Sequence, residues 1–403
     1  MIINSLLRND LYKFSMFDVV DRYYSDMEVE ITFKCRSDAK IGYLLPYVAE
    51  EADRLCQLRF TPEEMLYIKN TLRWLSPSCI SFLCRLQLNR EQLHISVDPD
   101  GQLVIKAIGP WRDVIWFEVP VLAIVEELYM EYQLHELKKS IGADAFHQRL
   151  QQERDNLDRK IDALNAINDE FPFRLSEFGL RRRRSAEWQD YVVGRMKERA
   201  RFFAGTSDVY LAMKHGVKPS GTMAHEIYMG VQGDDNTSLR NVQRKTWDLW
   251  MKTFHGDNGI MLTDIFGANA CFRDMDWLVA HSFTGFRHDS GDPIAWGDKL
   301  IARLTELGID PKEKVGVWSD CLDVDAIREI AMHFSGRIKV SFGVGTNLVN
   351  MFPGVKPLSI VMKMTKANGR AVLKLSDDEG KGMCPDPTLV EYAKSLFDFQ
   401  PVK

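Results

Sequence analysis

Residues 282–293 read SFTGFRHDSGDP. A short β-prone run leads into a loop that packs three charges and a glycine into six residues, and a helical segment follows. The same layout recurs in VKPSGTMAHE (217–226), GIMLTDIFG (259–267), KVGVWSDCLDVD (314–325) and IKVSFGVGTN (338–347). Strands alternating with helices at intervals of roughly 20–30 residues argue for βα units and a parallel sheet, open or closed. The rhythm breaks in SIVMKMTKANGRAVLKLS (359–376). Asn368-Gly369 between two alternating runs signals a hairpin there, so any barrel is expected to be irregular.

Ahead of about residue 200 the pattern is mixed. EVEITFKCR (28–36) and HISVDPDGQLVIKAIG (94–109) read as strands, the second a hairpin around Asp100-Gly101. TPEEMLYIKNTLRWL (61–75) reads as a helix with Thr61 as cap and Pro62 in first position. Residues 128–170 are helical and highly charged.

A chain of 403 residues is long enough for two or three domains and a large core. A net charge of −5 gives no electrostatic reason to expect nucleic acid or an anionic membrane as partner. The most apolar run, VIWFEVPVLAIVEELYM (114–130), is interrupted by Glu118, Pro120, Glu126 and Glu127, so it is not a membrane span. The N-terminus lacks the layout of a signal peptide. Seven scattered cysteines without a CxxC form no zinc pattern, and no metal ligands are assigned. A reduced, cytoplasmic protein is expected.

Chemistry gathers where the strands end. Asp264 follows GIMLT, Arg287 and Asp289 follow SFTGF, Asp320 follows KVGVWS, and Gly343, Gly345 and Thr346 follow IKVSF. Barrel enzymes assemble their sites at strand C-termini, and four successive strands ending this way resemble one site. Solvated helix caps would explain Asp323 and Asp325 equally well. The glycines of SFGVGTN would let backbone N–H groups approach a phosphate, although a tight turn without ligand fits too. No Walker A motif occurs. Arg181–Arg184 could be a solvated basic patch; if extended, the run would alternate faces and send one pair into a site. Phe178 reads as core or as a partner for a flat ring. His225, in KPSGTMAHEIYMG (218–230), stands at a helix start with Thr222 as the expected cap. That stretch alone is met more simply by an incidental histidine than by a reactive one.

Taken in order, NDLYKFSM, EFGLR, GTSDVYLAMKHGVKPSGTMAHE, LTDIFG, GFRHDSGDP, SFGVGTNL and PGVKPLSIVMKM resemble the nicotinate phosphoribosyltransferases of the bacterial type, from about residue 9 to the C-terminus. The pairing of GTMAHE with FRHDSGDP is the specific part. The resemblance implies an α/β fold of the type II phosphoribosyltransferase class: an N-terminal α/β sandwich over 1–135 and an irregular, incomplete α/β barrel over 136–375, with a helical insertion near 136–170. A segment 376–403 would pack back on the N-terminal unit. It implies synthesis of nicotinate mononucleotide from nicotinate and phosphoribosyl pyrophosphate, with ATP as co-substrate, Mg²⁺ carried by the phosphates, and a role in NAD salvage. A homodimer with shared sites is expected.

By the same resemblance His225 is the transiently phosphorylated histidine, oriented by Glu226 or Asp264. Phe178 stacks on the pyridine, and Tyr12 reaches its other face from the neighbouring subunit. Arg181 and Arg287 bind anions. Asp289 and Asp264 serve the ribose and the magnesium-bound pyrophosphate, while Asp320, Gly343, Gly345 and Thr346 serve the 5′-phosphate. Thr206 and Ser207 mark the choice of acid over amide, since amide-using relatives carry an aspartate where Ser207 stands. Asp208 departs from the asparagine common in nicotinate enzymes. The rivals are a nicotinamide or quinolinate enzyme of this fold, or a non-catalytic barrel binding sugar phosphates.

Physical chemistry agrees with a reactive His225. A helix N-terminus disfavours imidazolium by about 0.3–1 kcal/mol when exposed and ~2 kcal/mol when partly buried. Neutral imidazole is the form that can accept a phosphoryl group.

Overall fold

The alternation in EVEITFKCR becomes β1 (Glu28–Cys35), with Val29, Ile31 and Phe33 buried and Glu28 and Lys34 exposed. The computed structural model describes residues 1–378 and 382–402. β2 (Leu93–Val97) and β3 (Leu103–Pro110) form the expected hairpin, whose turn uses Gly101 at φ 78°. Thr61 closes a capping box with Glu64 ahead of the helix Pro62–Thr71. The charged stretch after residue 128 is two helices, Glu118–Ile141 and Ala143–Glu170, parted by Gly142 at φ 83°. The first turns of Glu118–Ile141 are buried all round, which is why this apolar run needs no membrane. Among the described residues no helix is long and apolar enough to cross one.

The second sheet comprises β4 (Arg174–Glu177), β5 (Phe203–Thr206), β6 (Ile260–Leu262), β7 (Gly285–His288), β8 (Val315–Trp318) and β9 (Lys339–Val344). Its order is β5-β4-β9-β8-β7-β6, and every neighbouring pair is parallel. Among the described residues no ladder joins β5 to β6, so the α/β barrel is incomplete, as expected. Trp296 and Trp318 are fully buried beneath β7 and β8, edge to face at 5.4 Å. Their indole N–H groups donate to Thr263 Oγ1 and Pro293 O, each at 3.0 Å, which ties the strand ends to the following helix.

Four expectations change. VKPSGTMAHE forms no strand: it makes one bridge, Thr206 to Pro219, and the strands of that region are β4 and β5. Pro219 has no backbone N–H to donate and Gly221 no side chain to pack, which makes the segment a poor strand. The Asn368-Gly369 turn is present, at φ 47° and 72°, joining β10 (Ile360–Ala367) to β11 (Arg370–Ala371). These strands do not extend the parallel sheet. β10 pairs antiparallel with β1, giving the order β11-β10-β1-β3-β2, so the boundary at 375 does not separate the two sheets. The segment after 376 packs on the parallel unit and not on the N-terminal one. Phe397, in the helix Pro387–Phe397, stacks on Phe266 at 4.1 Å, and Val402 N–H donates to Asp377 at 3.1 Å. The physical reason is apolar: Phe397 and Phe399 cover Phe266 and the bare face of Gly267.

Candidate active site

The C-terminal ends of β4, β7, β8 and β9 face β10 across a cavity of about 470 Å³. The parallel strands contribute Phe178, Arg287, Asp289, Asp320, Gly343, Gly345 and Thr346 to its wall, and β10 contributes Lys363. Arg36 enters from the end of β1, where its backbone N–H donates to Ser359 O at 2.7 Å. The crossover of β10 into the N-terminal sheet thus roofs the site with a second set of cations.

His225 lies in the first turn of the helix His225–Val231 and is 8% exposed. Its Nε2 is 2.7 Å from Asp264 Oδ1, and its Nδ1 is 3.9 Å from Asp289 Oδ2. The other oxygen of Asp264 accepts from Ser290 Oγ at 2.7 Å and from Lys374 Nζ at 2.8 Å. Burial alone would raise the Asp264 carboxyl, but His225 and the Lys374 cation hold it well below the usual range. Burial pushes His225 down to about 4, with Lys374 adding to the effect and Asp264 opposing it. A carboxylate accepting at Nε2 fixes the proton there, so the Nδ1 lone pair faces the cavity. Of the two carboxylates left open by the sequence, Asp264 is the one that orients the ring.

The cap of this helix is not Thr222. Ala224 stands at the cap position without a side-chain bond. Thr222 instead accepts from Arg287 Nη1 at 2.6 Å and donates to Met223 O at 3.0 Å. Ser220 N–H is held by Thr206 O, which keeps this segment extended until residue 224. Burial, more than a capped helix end, keeps His225 neutral. Glu226 also lines the cavity, but its carboxylate accepts from Trp111 Nε1 at 2.7 Å and pairs with Lys13.

In the cavity wall Phe178 lies against Gly343. A Cβ on Gly343 would come within 2.3 Å of the ring, and one on Gly345 within 2.9 Å of the Phe178 carbonyl. Both glycines therefore make room for the aromatic platform as well as opening the loop before Thr346. Tyr12 lines the cavity of its own chain, with the Arg181 guanidinium 5.7 Å from its ring centroid. The helix Leu11–Tyr23 begins beside the pocket and brings Tyr12 to it. Arg181 is paired with Glu118 at 3.1 Å and Asp10 at 3.5 Å.

The arginine run does not alternate as an extended strand would. A 3₁₀ turn over Leu180–Arg182 sends Arg181 and Arg182 to the cavity, while Arg183 pairs with Glu127 and Arg184 with Glu153, both at 3.0 Å. Thr206 and Ser207 stand behind the wall. Thr206 donates to Glu177, and Ser207 Oγ donates to Asp10 Oδ1 at 2.6 Å. Asp208 caps the helix Val209–His215 by accepting from Tyr210 and Leu211 N–H, and pairs with Arg8 at 3.2 Å. Its charge is spent on structure, away from the cavity.

Arg36, Arg182, Lys363 and Lys374 were not singled out from the sequence, yet all line the cavity. Burial, with Lys374 and Arg36 nearby, pushes Lys363 down to about 7. Only the alternation of β10, which turns Lys363 inward among apolar residues, carries any trace of this in the sequence. Ligand atoms of His225, Asp264 and Asp289 lie within 4.8 Å of one another, close enough to hold a cation. Both Asp264 oxygens are already engaged by three donors, however. That leaves Asp289 Oδ2 and the imidazole Nδ1, too few for a magnesium site built by the protein alone.

Comparison with known proteins agrees with this geometry. The model of the "Nicotinate phosphoribosyltransferase (NAPRTase) family" matches residues 173–400, and that of the NAPRTase N-terminal domain matches 7–126. A nicotinate phosphoribosyltransferase of Bordetella petrii is 40% identical over 409 aligned positions, covering the whole of both chains. One from Burkholderia mallei is 40% identical over 98% of this chain and 97% of its own. The crystal structure of the Vibrio cholerae nicotinate phosphoribosyltransferase superposes with a TM-score of 0.92 at 33% identity, covering 99% of this chain and 95% of that one. The Porphyromonas gingivalis structure gives 0.90 at 31%, covering 99% and 100%. With both sheets, the cavity and its full length accounted for, the chain belongs to the nicotinate phosphoribosyltransferase family.

Proposed function

We propose that this chain makes nicotinate mononucleotide and pyrophosphate from nicotinate and phosphoribosyl pyrophosphate, coupled to ATP hydrolysis through a phosphohistidine at His225, as a step of NAD salvage. The observation that carries the reading is the His225–Asp264–Lys374 arrangement: a neutral imidazole, its proton fixed on Nε2, presents Nδ1 to a cation-lined cavity.

In the first step the Nδ1 lone pair attacks the γ-phosphorus of ATP. The N–P bond forms as the bridging P–O bond breaks, and ADP leaves with that bonding pair. The Nε2 proton stays shared with Asp264, which stabilises the positive charge developing on the ring. In the second step the pyridine nitrogen attacks the anomeric carbon, the C–O bond to pyrophosphate breaks, and the phosphohistidine is later hydrolysed. Magnesium, brought in on the phosphates, supplies charge neutralisation of the departing pyrophosphate. Asp289 and Asp320, on adjacent strand ends, are the oxygens placed to meet that ion and the ribose. Lys363, Lys374 and Arg36 would offer positive charge to the negative charge that develops on the departing pyrophosphate.

Phe178 would stack on the pyridine, which holds the ring edge towards the anomeric carbon. Arg287 is the arginine we assign to the nicotinate carboxylate, because its buried Nε has no hydrogen-bond partner among the described residues. Arg181, already paired with Glu118 and Asp10, is less available. Incubation with nicotinate, phosphoribosyl pyrophosphate and Mg-ATP, followed by mass spectrometry, should find the mononucleotide and phosphate on His225. Full ATP-stimulated turnover in His225→Ala, label on another residue, or faster turnover of nicotinamide would each overturn the reading.

A further inference from the structure

Lys13 is a fully buried cation for which the mechanism above has no use. Its Nζ lies 2.7 Å from Glu118 Oε2 and also contacts Glu226 Oε2. Those carboxylates begin two different helices, and each leads to a different end of the cavity. Glu226 follows His225 in the first turn of its helix, with its second oxygen held by Trp111. Glu118 accepts from Arg181 Nη1 at 3.1 Å and from the Tyr12 hydroxyl at 3.4 Å. One ammonium group therefore joins the phosphoryl-accepting end to the wall that receives the pyridine.

We propose that Lys13 is a positioning residue that couples the phosphorylation state of His225 to the affinity of the pyridine end of the pocket. The inference rests on the phosphohistidine reading above and adds the route by which phosphorylation is felt. Asp10, Glu118 and Glu226 are three buried carboxylates served by two cations, Lys13 and Arg181. Such a cluster must hold a proton or carry an uncompensated charge, so it has alternative arrangements that differ in where the proton sits. Phosphorylation adds about −1.5 to −2 charge one residue from Glu226. The added charge favours the protonated form of Glu226, and Lys13 then leans wholly on Glu118. Glu118 in turn relaxes its hold on the Arg181 guanidinium, beside Tyr12, which then adds a second positive charge to that of Arg287 for an anionic ring substituent. By linkage, a pyridine carboxylate at that wall favours the phosphorylated state equally.

The test compares wild type with Lys13→Met and Lys13→Arg. The readouts are acid-labile phosphate on His225 and the nicotinate KM with and without ATP. Wild type is expected to show an ATP-dependent fall in nicotinate KM of about 5–150-fold, the usual span of coupling between sites. Lys13→Met should still label His225 while losing that fall, and Lys13→Arg should recover part of it. An undiminished ATP effect on KM in Lys13→Met overturns the inference. Absence of His225 label in wild type overturns the phosphohistidine reading instead. If Lys13→Met fails to fold, ¹⁵N-lysine NMR on the wild-type protein decides. The buried Lys13 ammonium signal, identified by its loss in Lys13→Arg, should move on phosphorylation, and an unmoved signal refutes the coupling.

Discussion

Replacing Asp264 by asparagine tests the heart of the site, because every polar group around that carboxylate is a donor. His225 Nε2–H meets one oxygen, and Ser290 Oγ–H and Lys374 Nζ meet the other. An asparagine must point its NH₂ at one side or the other. Turned towards His225, it demands an acceptor at Nε2, so the ring proton moves to Nδ1 and the nucleophile disappears. Either orientation removes the counter-charge of Lys374; turned towards Lys374, the amide also sets its NH₂ against that ammonium and the Ser290 hydroxyl and leaves the buried cation without an acceptor, at a cost of about 3–5 kcal/mol. The first orientation is the less costly, and a wrong tautomer in a comparable carboxylate–histidine pair lowers turnover about 10⁴-fold. We therefore expect the rate of His225 phosphorylation to fall by about 10³–10⁴, with a loss of stability of about 2 kcal/mol from the weakened hydrogen bonds to charge. Rapid-quench measurement of acid-labile phosphate from γ-labelled ATP reads the first quantity, and urea denaturation the second. A folded variant that forms label within about threefold of wild type, less than 1 kcal/mol of barrier, would refute the tautomer argument.

Gly343→Ala should tilt the Phe178 ring and raise the nicotinate KM about tenfold or more while leaving the rate of His225 labelling unchanged, since the new Cβ falls 2.3 Å from the ring. Glu126→Gln should alter the pH dependence of stability. Burial pushes the Glu126 carboxyl up to about 8 from an ordinary 4.5, against the pull of the Leu358 and Asn350 donors. Between those values the native state keeps a proton that the unfolded chain has lost, so wild-type stability falls as pH rises through the window. The variant should lack this slope of about 1.4 kcal/mol per pH unit, as read by thermal melts from pH 5 to 8. Because Tyr12 and His225 line one chain's cavity, mixing inactive Tyr12→Ala and His225→Ala proteins should restore no activity, whereas a site shared between subunits would recover about a quarter of it in statistical dimers.

The sequence made the parallel sheet readable wherever a strand ended in a polar loop, as at Asp264, Asp289 and Asp320. β4 escaped because four residues between a long helix and an arginine run give too little alternation to detect. Local pattern also pointed to Arg287, while only the family resemblance pointed to His225 and Phe178 in the cavity wall. It misjudged Thr222 and the tail for one reason: each depends on where a distant segment comes to rest. Thr222 is claimed by Arg287, 65 residues on, before it can cap a helix. Ser207 and Asp208 look like neighbours of a substrate but answer to Asp10 and Arg8, which sit about 200 residues earlier. Such pairings carry no local signal, and a buried cation such as Lys13 gives none either.

The pairing of β10 with β1 also sets when the protein can first be complete. Thr32 and Thr365 share a hydrogen bond at 2.9 Å across 333 residues of chain. During synthesis β1 therefore keeps one edge unpaired until β10, 333 residues of chain later, has left the ribosome, and such an edge invites association with other chains. The arrangement acts as a length check. A chain that stops short of β10 lacks Lys363 and Lys374, cannot place the roof over His225, and leaves a sticky strand for quality control to recognise.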